Sequence, residues 1–138
     1  MTDIIRKSLA ELVGTYIFVL FGPGSIVAFI AAFNQTLNPS TLFYLATTFG
    51  LGISIGIMAV ANISGGHVNP AVTISLFIAG RFPGKHVVQY IVAQLIGAVL
   101  ASATVGLLYL SFVISYHPCV IIFIQFKNPF SVYTKFFI

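Results

Sequence analysis

The stretch Ser64–Thr73 reads SGGHVNPAVT. Two glycines, a histidine, an asparagine and a proline sit among long apolar runs on both sides. Reading outward, Asn69-Pro70 has the form of a helix start: asparagine caps the free N–H groups and proline suits the first helical position. Pro70 to Gly80 (PAVTISLFIAG) then continues without a charge for 11 residues, about 16 Å of helix and roughly half of a ~30 Å hydrocarbon core. On the other side Thr41 to Ala61 is an apolar run of spanning length. The polar stretch therefore joins a full span to a half-length helix.

The rest of the composition supports a bilayer as solvent. Of 138 residues 59% are hydrophobic, only six are basic and two acidic, and mean hydropathy is +1.08; an ordinary soluble domain carries about 25% charged residues. The net charge of +4 is scattered in singles and pairs, with no basic stripe, which excludes a nucleic-acid partner. The one cysteine, Cys119, gives neither a disulfide framework nor a metal set and reads as a small apolar filler. His67, His86 and His117 lack ligand spacing, so no metal and no cofactor is expected. The apolar run after Arg6 and Lys7 is too long for a signal peptide, which makes it a retained span.

Three spans follow from hydropathy: about 9–33, 41–61 and 86–108. Arg6 and Lys7 before the first, and Arg81 and Lys85 before the third, place these ends on the cytoplasmic side. The connector Asn34 to Ser40 (NQTLNPS), with its Asn38-Pro39 turn signal, has no cation and falls outside. Residues 62–80 thus leave and return to one side. A helix lying on the surface needs a charged face, which Pro70 to Gly80 lacks, so a re-entrant loop and half-helix is predicted. Irregular backbone at membrane depth must be buried in protein or line a watery cavity. The fold class is all-α membrane protein, three transmembrane helices plus one re-entrant half-helix. A half-helix starting at mid-membrane points its positive end at the bilayer centre. The Asn69 amide then offers donors, and the carbonyls of Ser64 to His67 offer acceptors, a combination suited to a small uncharged solute and hostile to cations.

SGGHVNPAVT resembles the first asparagine-proline-alanine box of the major intrinsic proteins, the aquaporins and aquaglyceroporins. Ala10-Glu11-Leu12-Val13-Gly14-Thr15 is similar to the AExxGT of that family's first helix, and Gln94-Leu95-Ile96-Gly97 to the QxxG of its third. The resemblance covers about residues 5–106. It implies the first half of an inverted repeat of six spans and two half-helices, a homotetramer with one pore per subunit, and passive passage of water or of a small neutral solute such as glycerol across the cell membrane. It also implies roles: Asn69, Pro70 and Ala71 as the pore motif, the Gly65, Gly66 and His67 backbone as pore lining, and Phe49, twenty residues before Asn69, as the constriction aromatic of a water-type channel. Glu11, the one acidic residue inside a span, would brace the dipping loop near His67; the alternatives are a carboxylate at the interface for Glu11 and a packing ring for Phe49. His67 as a pH gate is the weaker reading beside a carbonyl donor with a bracing ring.

The chain departs from the family after about Thr104. No second box and no following arginine is present, and residues 111–138 hold no glycine or alanine but six phenylalanines and five isoleucines. Bundles packed through small residues, such as Gly52 and Gly56 or Gly97 and Ala101 here, do not continue in this way. A truncated or out-of-frame tail over 109–138 is expected, with a half-length chain that dimerises antiparallel as the alternative. The one-sided cations argue against dual topology. The rival to a pore is a non-conducting remnant or membrane interaction subunit. An intramembrane enzyme is disfavoured, since Glu11 is the one acidic residue available in a span and no second carboxylate is near it in sequence.

Overall fold

The computed structural model describes residues 3–33 and 38–109, and every regular element among them is helical. Four helices follow in order: α1 (Asp3–Phe33), α2 (Pro39–Ser64), the short α3 (Pro70–Ile78) and α4 (Val87–Leu108), the last preceded by a 3-10 turn over Gly84–His86. Three of them are long and apolar enough to cross a membrane. At 1.5 Å per residue, the 31, 26 and 22 residues of α1, α2 and α4 reach about 46, 39 and 33 Å, against ~13 Å for α3. The expectations for the connector and for the tail, including Cys119 and His117, fall on residues 34–37 and 110–138, outside the described residues.

The helix ends differ from the hydropathy boundaries for local reasons. α1 begins at Asp3, where Asp3 and Lys7 pair across one turn at 2.6 Å, extending the helix beyond its apolar part. α2 begins at Pro39 because Asn38, expected as a turn, is its N-cap: Oδ1 accepts from Thr41 N at 2.9 Å and from Thr41 Oγ1 at 2.8 Å. α2 also runs on through Asn62, Ile63 and Ser64, which were expected in the loop, and stops at Gly65. There the backbone turns left-handed (φ 92°) and Gly65 N still donates to Ala61 O at 3.0 Å. The half-helix is shorter than its apolar run. Gly80 (φ 69°) ends it, and Arg81 N folds back on Leu76 O at 2.8 Å, a glycine stop.

Small residues set the packing. α1 lies against both α2 and α4, and α3 rests on α4. A Cβ on Gly56 would stand 2.7 Å from the Gly14 carbonyl, and one on Gly97 would collide with the Leu12 carbonyl. Higher up, Ser25 Oγ donates to Gly22 O at 2.6 Å and meets Thr48 Oγ1 at 2.8 Å, tying α1 to α2 beside Pro23. The exterior is apolar, with Phe43, Met58 and Leu107 about three-quarters exposed, and the polar residues Glu11, Thr15, Ser64, His67, Thr73 and Gln94 are buried. This inversion suits a hydrocarbon solvent.

Candidate functional site

The loop between α2 and α3 is built on unusual backbone. Gly65 and Gly66 are left-handed (φ 92° and 65°), and so is Val68 (φ 54°). Glycine adopts this region freely, whereas a β-branched residue there is strained, on the order of 1–3 kcal/mol. Val68 is held by three contacts. Its N–H donates to Glu11 Oε2 at 2.6 Å, its carbonyl accepts from Thr15 Oγ1 at 3.3 Å, and its side chain is buried with Ala10 and Val60.

Glu11 is the centre of the arrangement. It is 0% exposed. Oε1 accepts from Ser64 Oγ at 2.6 Å and from His67 N at 2.9 Å; Oε2 accepts from Val68 N at 2.6 Å and from Gln94 Nε2 at 2.8 Å. A carboxylate is acceptor-only and can take four such donors at once. The ion pair described, Lys7–Asp3, is elsewhere, so these donors take the place of a counter-ion. One side chain thereby joins α1 to the end of α2, the loop and α4.

A second set of contacts surrounds His67. Its Nδ1 lies 3.1 Å from Thr73 Oγ1, and that hydroxyl also meets Gln94 Nε2 at 3.0 Å and Asn69 O at 3.2 Å. The imidazole is flanked by the rings of Phe82 and Tyr90, with centroids at 4.7 and 5.1 Å. Tyr90 OH donates to Ser64 O at 2.9 Å, so the Ser64 carbonyl, expected to be free, is occupied. The carbonyls of Gly65, Gly66 and His67 accept no hydrogen bond among the described residues.

Asn69 caps α3: its Oδ1 accepts from Ala71 N at 2.8 Å. With the oxygen so engaged, the two Nδ2 hydrogens are without a partner among the described residues, beside the positive end of the helix. Ala71 is exposed, Asn69 and Pro70 half-buried. The site therefore sets free donors at Asn69 next to free acceptors at residues 65–67. Phe49 stands apart on the α1–α2 seam, edge-on to Phe18 with centroids 6.1 Å apart. Sequence reasoning passed over Thr73, Tyr90 and the Ser64 hydroxyl, and named Gln94 only as part of the QxxG motif. The available signal was Gln94: an amide in the middle of an apolar span needs a partner as much as a carboxylate does.

Comparison with known proteins gives a consistent result. The family model described as Major intrinsic protein matches residues 1–136, a range that includes most of the compositionally distinct tail. A probable aquaporin NIP-type of Nicotiana alata is 43% identical over 106 residues, covering 77% of this chain and 37% of that one. Aquaporin AqpM of Methanothermobacter marburgensis is 39% identical over 115 residues (74% and 47%), and Aquaporin Z of Photorhabdus laumondii 48% over 100 (72% and 42%). The X-ray structure of the aquaglyceroporin from Plasmodium falciparum superposes with a TM-score of 0.71 at 32% identity, covering 81% of this chain and 45% of that one. The chain spans less than half the length of each of these proteins.

Proposed function

The chain belongs to the major intrinsic protein family, and from that premise we propose that it supplies one half of a passive membrane channel for water or a small neutral solute. The observation that carries this reading is the polarity of the loop: amide donors on Asn69 at the positive end of α3, preceded by the carbonyls of Gly65, Gly66 and His67, all without a hydrogen-bond partner among the described residues. A neutral dipole can accept from the first and donate to the second, while the positive helix end repels protons and other cations. Asn69, Pro70 and Ala71 are then the pore motif and Glu11 the brace that keeps the loop in place. Phe49 is assigned to the constriction on the strength of its spacing from Asn69. The aquaporin and aquaglyceroporin names of the relatives support water or glycerol as the solute class. A homotetramer and an N-terminus on the cytoplasmic side of the plasma membrane complete the reading.

The test is stopped-flow shrinkage of proteoliposomes carrying the chain, with water and then glycerol gradients. Flux above that of empty vesicles, lost in Asn69→Ala, is the expected result. Flux equal to empty vesicles at verified protein density sinks the channel reading for this chain and leaves the non-conducting interaction subunit.

A further inference from the structure

We propose that Thr73, its hydroxyl engaged by Gln94, is a positioning residue that holds His67 in the Nδ1–H tautomer, turning a bare Nε2 acceptor into the mouth cavity, where it orients the O–H of an incoming solute. The orienting role rests on the channel reading; the tautomer does not.

The argument begins at Glu11. Its Oε2 faces the Gln94 amide at 2.8 Å. An acceptor-only carboxylate requires the NH2 end there, because a flipped amide would set Oε1 against Oε2. That orientation leaves Gln94, 1% exposed, with its Oε1 buried and without a partner among the described residues. The same Nε2 donates to Thr73 Oγ1 at 3.0 Å. That fills one acceptor position of the hydroxyl and leaves it one lone pair and one hydrogen.

Two neighbours remain for them, Asn69 O at 3.2 Å and His67 Nδ1 at 3.1 Å. A carbonyl cannot donate. If the Thr73 hydrogen goes to Asn69 O, Nδ1–H donates to the last lone pair and all three contacts are hydrogen bonds. If the hydrogen goes to Nδ1 instead, the contact with Asn69 O is lost and a lone pair is unused at a side chain that is 0% exposed. Full satisfaction of buried polar groups selects the first arrangement. Nε2 is then an acceptor without a hydrogen.

Nε2 has no partner among the described residues, and it is not one of the sealed buried atoms. His67 lines a cavity of about 580 Å³ together with Ser64, Gly65, Arg81, Phe82 and Tyr90. Nε2 lies 3.6 Å from where a Cβ on Gly65 would stand, so the missing side chain keeps the nitrogen open. Phe82 and Tyr90 fix the ring plane.

The experiment is ¹⁵N NMR of the histidine side chains in the full chain in nanodiscs, above the pH range where imidazole carries charge. Single His→Gln spectra assign the three histidines. A protonated Nδ1 and a bare Nε2 for His67 is the expected result. Thr73→Val should move His67 toward the Nε2–H form, and Thr73→Ser should restore the original spectrum. Wild type with Nε2 protonated overturns the proposal whether or not the variants fold. A folded Thr73→Val chain that keeps Nδ1–H overturns it as well. The spectrum is read without flux, so a failed tautomer and a failed channel are told apart.

Discussion

Replacing Glu11 by glutamine keeps its shape and removes an acceptor just where two backbone N–H groups and two side chains converge. Whichever way the new amide turns, its NH2 faces a donor. An unsatisfied buried donor and a lost charge-assisted bond together amount to about 3 kcal/mol, which a denaturant titration of the chain in micelles reads directly; an unchanged midpoint would contradict the four-donor arrangement. Asn69→Asp makes a different change. The cap to Ala71 N can persist, but the free donors become a second carboxylate oxygen. On the channel reading, water flux falls and cation leak rises in the same vesicles; a variant with wild-type selectivity would remove Asn69 from the pathway. Glu11 was legible in sequence because a lone carboxylate in an apolar run is conspicuous and needs a partner. Gln94 signalled only that it needed a partner; that the partner includes Thr73 was not legible, because their meeting depends on α3 resting on α4.

Among elements, the short α3 could be read from its Asn-Pro start and its lack of charge, since both signals lie within ten residues. The end of α2 could not. Ser64 continues the helix because its hydroxyl is caught by Glu11, 53 residues earlier, and no local propensity carries that information. The glycines divide in the same way: only the packed structure separates those that permit a crossing from those that do not. Gly97→Ala forces α1 and α4 apart at the Leu12 carbonyl, and a loss of about 1–3 kcal/mol is expected for overpacking against backbone. Among the described residues, nothing lies within 4 Å of a new Cβ on Gly50 or Gly106. Alanine there should be neutral or stabilise by up to about 1 kcal/mol through helix propensity. Equal effects at Gly97 and Gly50, measured by thermal midpoint in one detergent, would show that the crossing is not close.

For the molecule as a whole, the polar interior and apolar exterior of the described residues require a bilayer, and the proposed orientation, read from the cations, is open to a labelling test. In a Cys119→Ser background, cysteines at Asp3 and Pro83 should react with an impermeant maleimide from one face of sealed vesicles, and a cysteine at Ser40 from the other. Labelling of Asp3 and Ser40 from the same face would break the three-span topology. Overall hydropathy made this level of structure the easiest to read, because span count depends on averages over some twenty residues.

The order of the chain gives the Glu11 cluster a history. Ser64, His67, Val68 and Gln94 stand 53, 56, 57 and 83 positions after it. The ribosome delivers α1 to the membrane long before any of these donors exists. The nascent first helix therefore enters with its carboxyl unmet, and the last of its partners arrives only when α4 has been inserted. Until then the carboxyl lacks the four donors that hold it in the folded chain.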